Sequence, residues 1–192
     1  WGPAAETGPC GPDTEMFIDT GIPACSKGCG PSCDCEKFVE IGNNVFMEYF
    51  KEADGGFSKL AQKNVDVGIG LERQVMFFQN KNSVFETDLF EPIVRRIKDL
   101  SLDYSSEKEK SVRIIADHLR AATFVLAELV EPSNIDRGYI VRRLIRRAIR
   151  HGRNLGIEGN FTAKIAKEVI NKMSPIYDDL KTNEKFIYQE LN

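Results

Sequence analysis

The sequence predicts an α+β protein: an antiparallel sheet portion in residues 1–95, followed by an all-α helical domain in residues 96–192. Three observations lead there. Up to Ile69, short runs of β-branched and aromatic residues alternate with Gly, Pro and Asn clusters, the pattern of strands joined by turns. From about residue 87, apolar residues recur three and four apart, the period of an amphipathic helix. The charge also changes sign. Residues 1–95 carry 8 basic and 15 acidic side chains, a net of −7, and residues 96–192 carry 18 and 14, a net of +4. Opposite signs point to two units with different partners, the basic one being the candidate for nucleic acid.

Residues 1–35 are rich in Gly, Pro and Cys and read as loops around one short strand, Glu15 to Ile18. Phe38–Ile41 and Val45–Phe50 read as two strands, with a hairpin turn at Ala53–Phe57. Val65–Ile69 is the next strand, and Leu71 opens a helix reaching Gln79. In the second half, Asp88 is placed to cap a helix through Ile93, Ile97 and Leu100. Ser111 is placed to cap one carrying Ile115, Leu119, Ala122, Leu126 and Leu129. Pro132-Ser133-Asn134 interrupts. A third helix runs from near Gly138 to Gly152, a C-cap type of residue. Helices at 161–173 and 180–191 follow, and no internal repeat is seen.

A chain of 192 residues, 42% hydrophobic and 29% charged, buries a sizeable core in one or two domains. No apolar run approaches the length needed to cross a bilayer, and no secretion signal opens the sequence. A cytoplasmic protein without a membrane partner is expected. Because the chain starts at Trp1 rather than Met, it is expected to be a piece of something longer. The five cysteines, an odd number, fit a reducing compartment. Four of them, Cys25, Cys29, Cys33 and Cys35, fall within eleven residues. One reading is a tetrahedral thiolate site for Zn²⁺, with Gly28, Gly30 and Pro31 supplying turns. The spacing is not a pair of Cys-x-x-Cys knuckles, and the other reading is an exposed loop of free thiols.

Val65-Asp66-Val67-Gly68-Ile69-Gly70-Leu71-Glu72-Arg73 reads as a strand running into a helix with one face turned to a ligand. Gly68 and Gly70 remove side chains at alternate positions, so a flat ligand can lie against backbone. Asp66 and Arg73 set an anion and a cation at the ends of that bare face. The carboxylate suits an ammonium group, and the guanidinium suits a base or a phosphate. The third helix carries an apolar stripe of Ile140, Val141, Leu144, Ile145, Ala148 and Ile149. Arg142, Arg143, Arg146, Arg147 and Arg150 fill most of the remainder, and Arg137, His151 and Arg153 extend the patch. A uniform arginine face is the electrostatic footprint of an RNA-backbone surface; a solvated face, or pairing with the acidic first half, is the alternative.

Gly68-Ile69-Gly70-Leu71-Glu72-Arg73 resembles the third signature motif of class II aminoacyl-tRNA synthetases, part of their ATP site. Glu6 to Pro12 and Val39 to Met47 are similar to motifs of the alanyl-tRNA synthetase family. So are Ile115 to Arg120, Pro132 to Tyr139 and Arg142 to Ala148, which resemble its tRNA-recognition helices. The resemblance covers residues 1 to about 157 in the right order. It implies that the sheet portion belongs to a class II synthetase core and the helices to a tRNA-recognition domain. The implied activity is ATP- and Mg²⁺-dependent ligation of alanine to its tRNA.

By this resemblance, Trp1 walls the alanine pocket, Asn43 helps hold the amino acid, and Asp66 binds its α-ammonium with Gly68 keeping the pocket open. Gly70 and Arg73 meet ATP. Asn134 probes the G·U wobble pair of the alanine tRNA acceptor stem, and Arg137, Arg142, Arg143, Arg146, Arg147 and Arg150 face that RNA. The chain departs from the family at Gly42, where Trp is usual, a change expected to reshape the pocket floor. No segment resembles the first two class II motifs, so the remaining synthetase domains are expected as partners outside these residues, and the chain alone is expected to be inactive. The alternative is a non-catalytic RNA-binding or regulatory module derived from the synthetase.

Overall fold

In the computed structural model, which describes residues 1–3 and 5–192, the first half contains four strands. They are β1 (Gly8–Cys10), β2 (Asp13–Asp19), β3 (Phe38–Lys51) and β4 (Phe57–Ile69). Helix α1 (Leu71–Phe78) follows directly, with Gly70 at its N-cap. β3 pairs antiparallel with every other strand: β1 against Tyr49–Lys51, β2 against Phe38–Val45, and β4 along its opposite edge. The two runs expected as separate strands are therefore one. Asn43 and Asn44 favour turns in isolation. Here they pair with Glu15 and Thr14 on one side and Gly68 and Val67 on the other, so the ladders on both edges satisfy the backbone there.

The β3–β4 turn forms where expected. Gly55 takes φ 86°, and the Asp54 carboxylate accepts the Gly56 N–H at 2.8 Å, a local bond typical of Asp in turns. Among the described residues of the first unit, the buried apolar side chains are few: Cys10 and Val45 on the strands and Met76 on α1. Main-chain pairing, more than a core, holds it.

Two compact units divide between Val84 and Phe85, not between residues 95 and 96. The second unit contains α2 (Glu91–Leu100), α3 (Glu109–Ala127), α4 (Asp136–Asn154), α5 (Thr162–Met173), α6 (Asp178–Thr182) and α7 (Glu184–Leu191). The boundary lies early because Phe90, Ile93 and Ile97 are all buried in the helical core. A cut at 95/96 would split α2. Asp88 does not cap this helix, whose N-cap is Phe90; its carboxylate takes Lys172 of α5 at 2.7 Å. Ser111 sits inside the first turn of α3 rather than capping it. The expected helix over 180–191 breaks at Asn183, whose amide donates to the Ala127 carbonyl at 2.8 Å.

α3 and α4 lie antiparallel: Ser111 and Lys108 near the start of α3 bond to His151 and Asn154 near the end of α4. α4 buries Gly138, Val141, Ala148 and Gly152. This spacing of three and four residues puts small side chains on one stripe. The expected stripe was broader; Ile140 is instead 45% exposed. Gly152 is also not the helix stop. The helix ends at Asn154, with Leu155 as its C-cap, in a Schellman motif: Gly156 takes φ 66°, its N–H meets Arg153 O at 3.1 Å, and Ile157 N–H meets Gly152 O at 3.0 Å.

Gly152 is small for a packing reason. A Cβ there would stand 2.4 Å from the Phe161 ring, and Phe161 is itself buried. Helix propensity alone favours alanine by about 1 kcal/mol, whereas overpacking a buried site costs about 1–3 kcal/mol. Gly152→Ala is therefore expected to lower the denaturation midpoint of the helical signal. A raised midpoint would show that the ring yields.

Candidate functional site

Strand register brings the first group of expected site residues together. Asn43 pairs with Gly68, and Val45 with Asp66, so Asn43, Asp66 and Gly68 share one sheet face. A Cβ on Gly68 would meet nothing within 4 Å; the face is open there. The Asp66 carboxylate is exposed and, among the described residues, accepts only a local bond, the Val67 N–H at 3.0 Å. The Asn43 amide nitrogen donates to Asp13 Oδ2 at 2.9 Å. Its oxygen is buried and has no donor among the described residues. An unmet buried acceptor is costly, and beside a carboxylate it suits a ligand rich in N–H donors.

Asp13 was not foreseen, because nothing in its local sequence marks it; only the β2–β3 register brings it to Asn43. The Asn43 amide holds the Asp13 carboxyl below the usual range. The Trp1 backbone nitrogen lies 3.3 Å from Asp13 and 3.0 Å from the Gly11 carbonyl. Trp1 thus joins the group through Asp13. Its indole is half exposed and lines a groove of about 580 Å³ with Gly11, Tyr49 and Phe57.

Arg73, one turn into α1, folds back over Gly70. A Cβ on Gly70 would meet the arginine side chain at 3.3 Å. The guanidinium donates to the Glu40 carbonyl at 2.8 Å and its carboxylate at 3.2 Å. Both partners are over a third exposed, so this pair is weakly stabilising and readily exchanged for a stronger anion. Glu40 is a second residue that the sequence pattern missed. Gly42 faces the other way: its hydrogen points at Met16 Cε and Ile69 Cγ1, and it pairs with Ile69 on the sheet face opposite Asn43. The missing Trp therefore does not shape the floor beside Asn43.

The second group lies on α4. Asn134, Tyr139, Arg142, Arg143, Arg146, Arg147, Arg150 and Arg153 line an open concavity of about 700 Å³. Arg142 donates to Asn134 Oδ1 at 2.6 Å, leaving the Asn134 amide N–H₂ as a donor. Arg143 stands over the Tyr139 ring at 6.0 Å, at the limit of a cation–π contact. Arg137 is exposed but outside this concavity. None of these arginines forms an ion pair among the described residues. Lys110, Arg147, Arg150 and His151 line a second concavity beside it.

The third group is the cysteines. The sulfurs of Cys25, Cys29 and Cys33 lie within 4.8 Å of one another, and Cys35 Sγ is 3.6 Å from Cys29 Sγ. Cys10, by contrast, is buried in β1. Among the described residues, no helix is long and apolar enough to cross a membrane.

With this geometry in place, comparison with known proteins defines the class. The family of tRNA synthetases class II (A) matches residues 1–192, and the chain belongs to it. Within that class, the chain is similar to alanine–tRNA ligases. That of Treponema denticola is 54% identical over 192 residues, 97% of this chain and 32% of the relative. That of Treponema pallidum is 48% identical over 196 residues, 100% of this chain and 32% of the relative. That of Petrotoga mobilis is 45% identical over 193 residues, 97% of this chain and 22% of the relative. The chain spans about a third or less of the length of these relatives.

His151 does not add charge to the patch as freely as its neighbours do. Partial burial first, then the charges of Arg147 and Arg150, hold its pKa below the ordinary 6.5. Its Nδ1 lies 3.0 Å from Ser111 Oγ. The folded unit prefers the neutral ring, so this contribution to stability is complete above about pH 6.5 and is lost as pH falls through the lowered value. Unfolding midpoints of the second unit should fall over that window. His151→Gln should flatten the fall; an unchanged pH profile would assign it to other groups.

Proposed function

We propose that the chain supplies one wall of the alanine and ATP site, and the acceptor-stem-binding helices, of an alanine–tRNA ligase. The observation that carries this is the buried, unpartnered Asn43 oxygen beside the open backbone of Gly68 and the exposed carboxylate of Asp66. A small amino acid offers an α-ammonium with three donors. Asp66 supplies the countercharge, Asn43 Oδ1 the second acceptor, and Trp1 an apolar wall. Gly68 leaves room for the ligand, and Gly70 lets a nucleotide approach the backbone.

Arg73 exchanges Glu40 for the nucleotide. Its planar guanidinium suits a base or a phosphate better than the exposed carboxylate it holds in the free chain. The chemistry is attack of the alanine carboxylate on the ATP α-phosphate, releasing pyrophosphate, followed by attack of a tRNA hydroxyl on the alanyl carbonyl, which transfers the alanyl group and releases AMP. The residues named here act by positioning and charge stabilisation, not as nucleophiles. Mg²⁺ shields phosphate charge when bound. The metal would arrive with the phosphates it shields rather than in an all-protein cage.

On α4, the arginines hold RNA phosphates. The free Asn134 N–H₂ reaches into the shallow minor groove, where an acceptor-stem base pair displays its edge. A second reading, an RNA-binding or regulatory module without activation, has this arginine-lined concavity in its favour but leaves the Asn43 oxygen without a purpose.

In a synthetase carrying this chain, Asp66→Asn should raise the KM for alanine in alanine-dependent ATP–pyrophosphate exchange on the order of 10- to 100-fold, the worth of a charge-assisted hydrogen bond. Gly68→Val should do the same without unfolding the sheet, since its side chain enters open space. An unchanged KM in both variants would overturn the pocket assignment. The 192 residues alone should show no exchange. For RNA, Arg146→Ala should weaken acceptor-stem binding and reduce the slope of log affinity against log salt by about 1. An unaltered slope would place the RNA elsewhere.

A further inference from the structure

Residues 20–37 join β2 to β3 with eighteen residues, none of them buried. Loops longer than about 12–15 residues without their own secondary structure are uncommon unless something orders them. Apolar burial does not order this one. Its base is closed by polar contacts: Thr20 N–H to the Lys37 carbonyl at 2.8 Å, Thr20 Oγ1 to the Glu36 carbonyl at 3.0 Å, and Lys37 Nζ to Asp19 at 2.8 Å. The four cysteines converge beyond this base.

Two turns bring them together. The Cys29 N–H bonds to the Ser26 carbonyl at 3.2 Å, and the Cys33 N–H to the Gly30 carbonyl at 2.9 Å. Gly28 and Gly30 have open space where a Cβ would stand. The sulfurs of Cys25, Cys29 and Cys33 lie within 4.8 Å of one another, and Cys35 Sγ lies 3.6 Å from Cys29 Sγ. Zinc–sulfur bonds of about 2.3 Å in a tetrahedron separate sulfurs by roughly 3.8 Å. A disulfide would need about 2.05 Å. Three of the sulfurs therefore stand close enough to share one metal ion, with Cys35 beside Cys29 as the fourth, and not at the separation of cross-linked cysteines.

We propose that Cys25, Cys29, Cys33 and Cys35 together bind one structural Zn²⁺ ion that orders the connection between β2 and β3. All four positions of a tetrahedron are filled by protein thiolates, so no coordination site is left for substrate and the role is structural. Soft thiolates select zinc over hard cations such as Mg²⁺. The cross-strand partners of Asn43 and Val45 on β2 are Glu15 and Asp13. The ion thus fixes a loop at the far end of β2 and takes no part in alanine activation, and the inference stands apart from the ligase reading.

The chain, purified under reducing conditions and loaded with Zn²⁺, should hold one zinc per molecule by elemental analysis. Co²⁺ in its place should give the visible absorption bands of tetrahedral thiolate coordination. Cys25→Ser, Cys29→Ser, Cys33→Ser and Cys35→Ser should each weaken zinc on the order of 100-fold or more in chelator competition, whereas Cys10→Ala should not. Trypsin provides a readout independent of affinity. Lys27 lies exposed at the loop tip, and cleavage there should be slow with zinc and fast once a chelator removes it. Substoichiometric zinc, stoichiometric iron or copper, full affinity in Cys35→Ser, or equal cleavage at Lys27 with and without zinc would each overturn the proposal.

Discussion

The constraint on which the first unit depends is the double-sided pairing of β3. This one strand contacts every other strand of the sheet, and few side chains are buried to help it. Side chains alternate between faces with period two, so a slip of one residue against β4 would turn Asn43 away from the face carrying Asp66 and Gly68. A slip against β2 would break the Asp13–Asn43 hydrogen bond. Register is therefore the quantity that creates the candidate pocket. Binding residues of ordinary exposure become a site because three strands hold them in step.

The second unit solves a different problem. Its arginine face needs a rigid backbone, since unpaired guanidinium groups repel one another and contribute nothing to folding. The antiparallel α3–α4 pair supplies rigidity through close approach. Val112, Ile115, Leu119, Ala122 and Leu126 of α3 are fully buried, and α4 answers with the fully buried Val141 and Ala148. Helices that pack this tightly along one stripe leave the opposite stripe of α4 free for charge. The Ser111–His151–Asn154 contacts then lock the end of that hairpin with polar groups.

Much of this was legible in the sequence, for physical reasons that differ from feature to feature. The helices of the second half, the β3–β4 turn and the strand-to-helix junction at Gly70 follow from local periodicity and turn chemistry. The family motifs pointed to Asp66, Gly68 and Arg73 directly. What escaped were consequences of pairing across distance. Two runs fused into β3 because neighbours on both edges overrode the turn preference of Asn43 and Asn44. Asp13 and Glu40 gained partners thirty and thirty-three residues away. Asp88 and Ser111 have the chemistry of caps, but Lys172 and His151 compete for their oxygens. Gly152 looked like a helix stop because glycine usually signals backbone freedom; here it signals the proximity of Phe161.

The central claim is that the face shared by Asn43, Asp66 and Gly68 receives the α-ammonium of alanine. The most direct measurement is a crystal structure of a synthetase carrying this chain with a non-hydrolysable alanyl-adenylate analogue. The ammonium is expected within hydrogen-bonding distance of the Asp66 carboxylate and Asn43 Oδ1, with Arg73 released from Glu40 and turned onto the nucleotide. An ammonium held by other groups, with Asp66 facing solvent and Asn43 Oδ1 still without a donor, would contradict it.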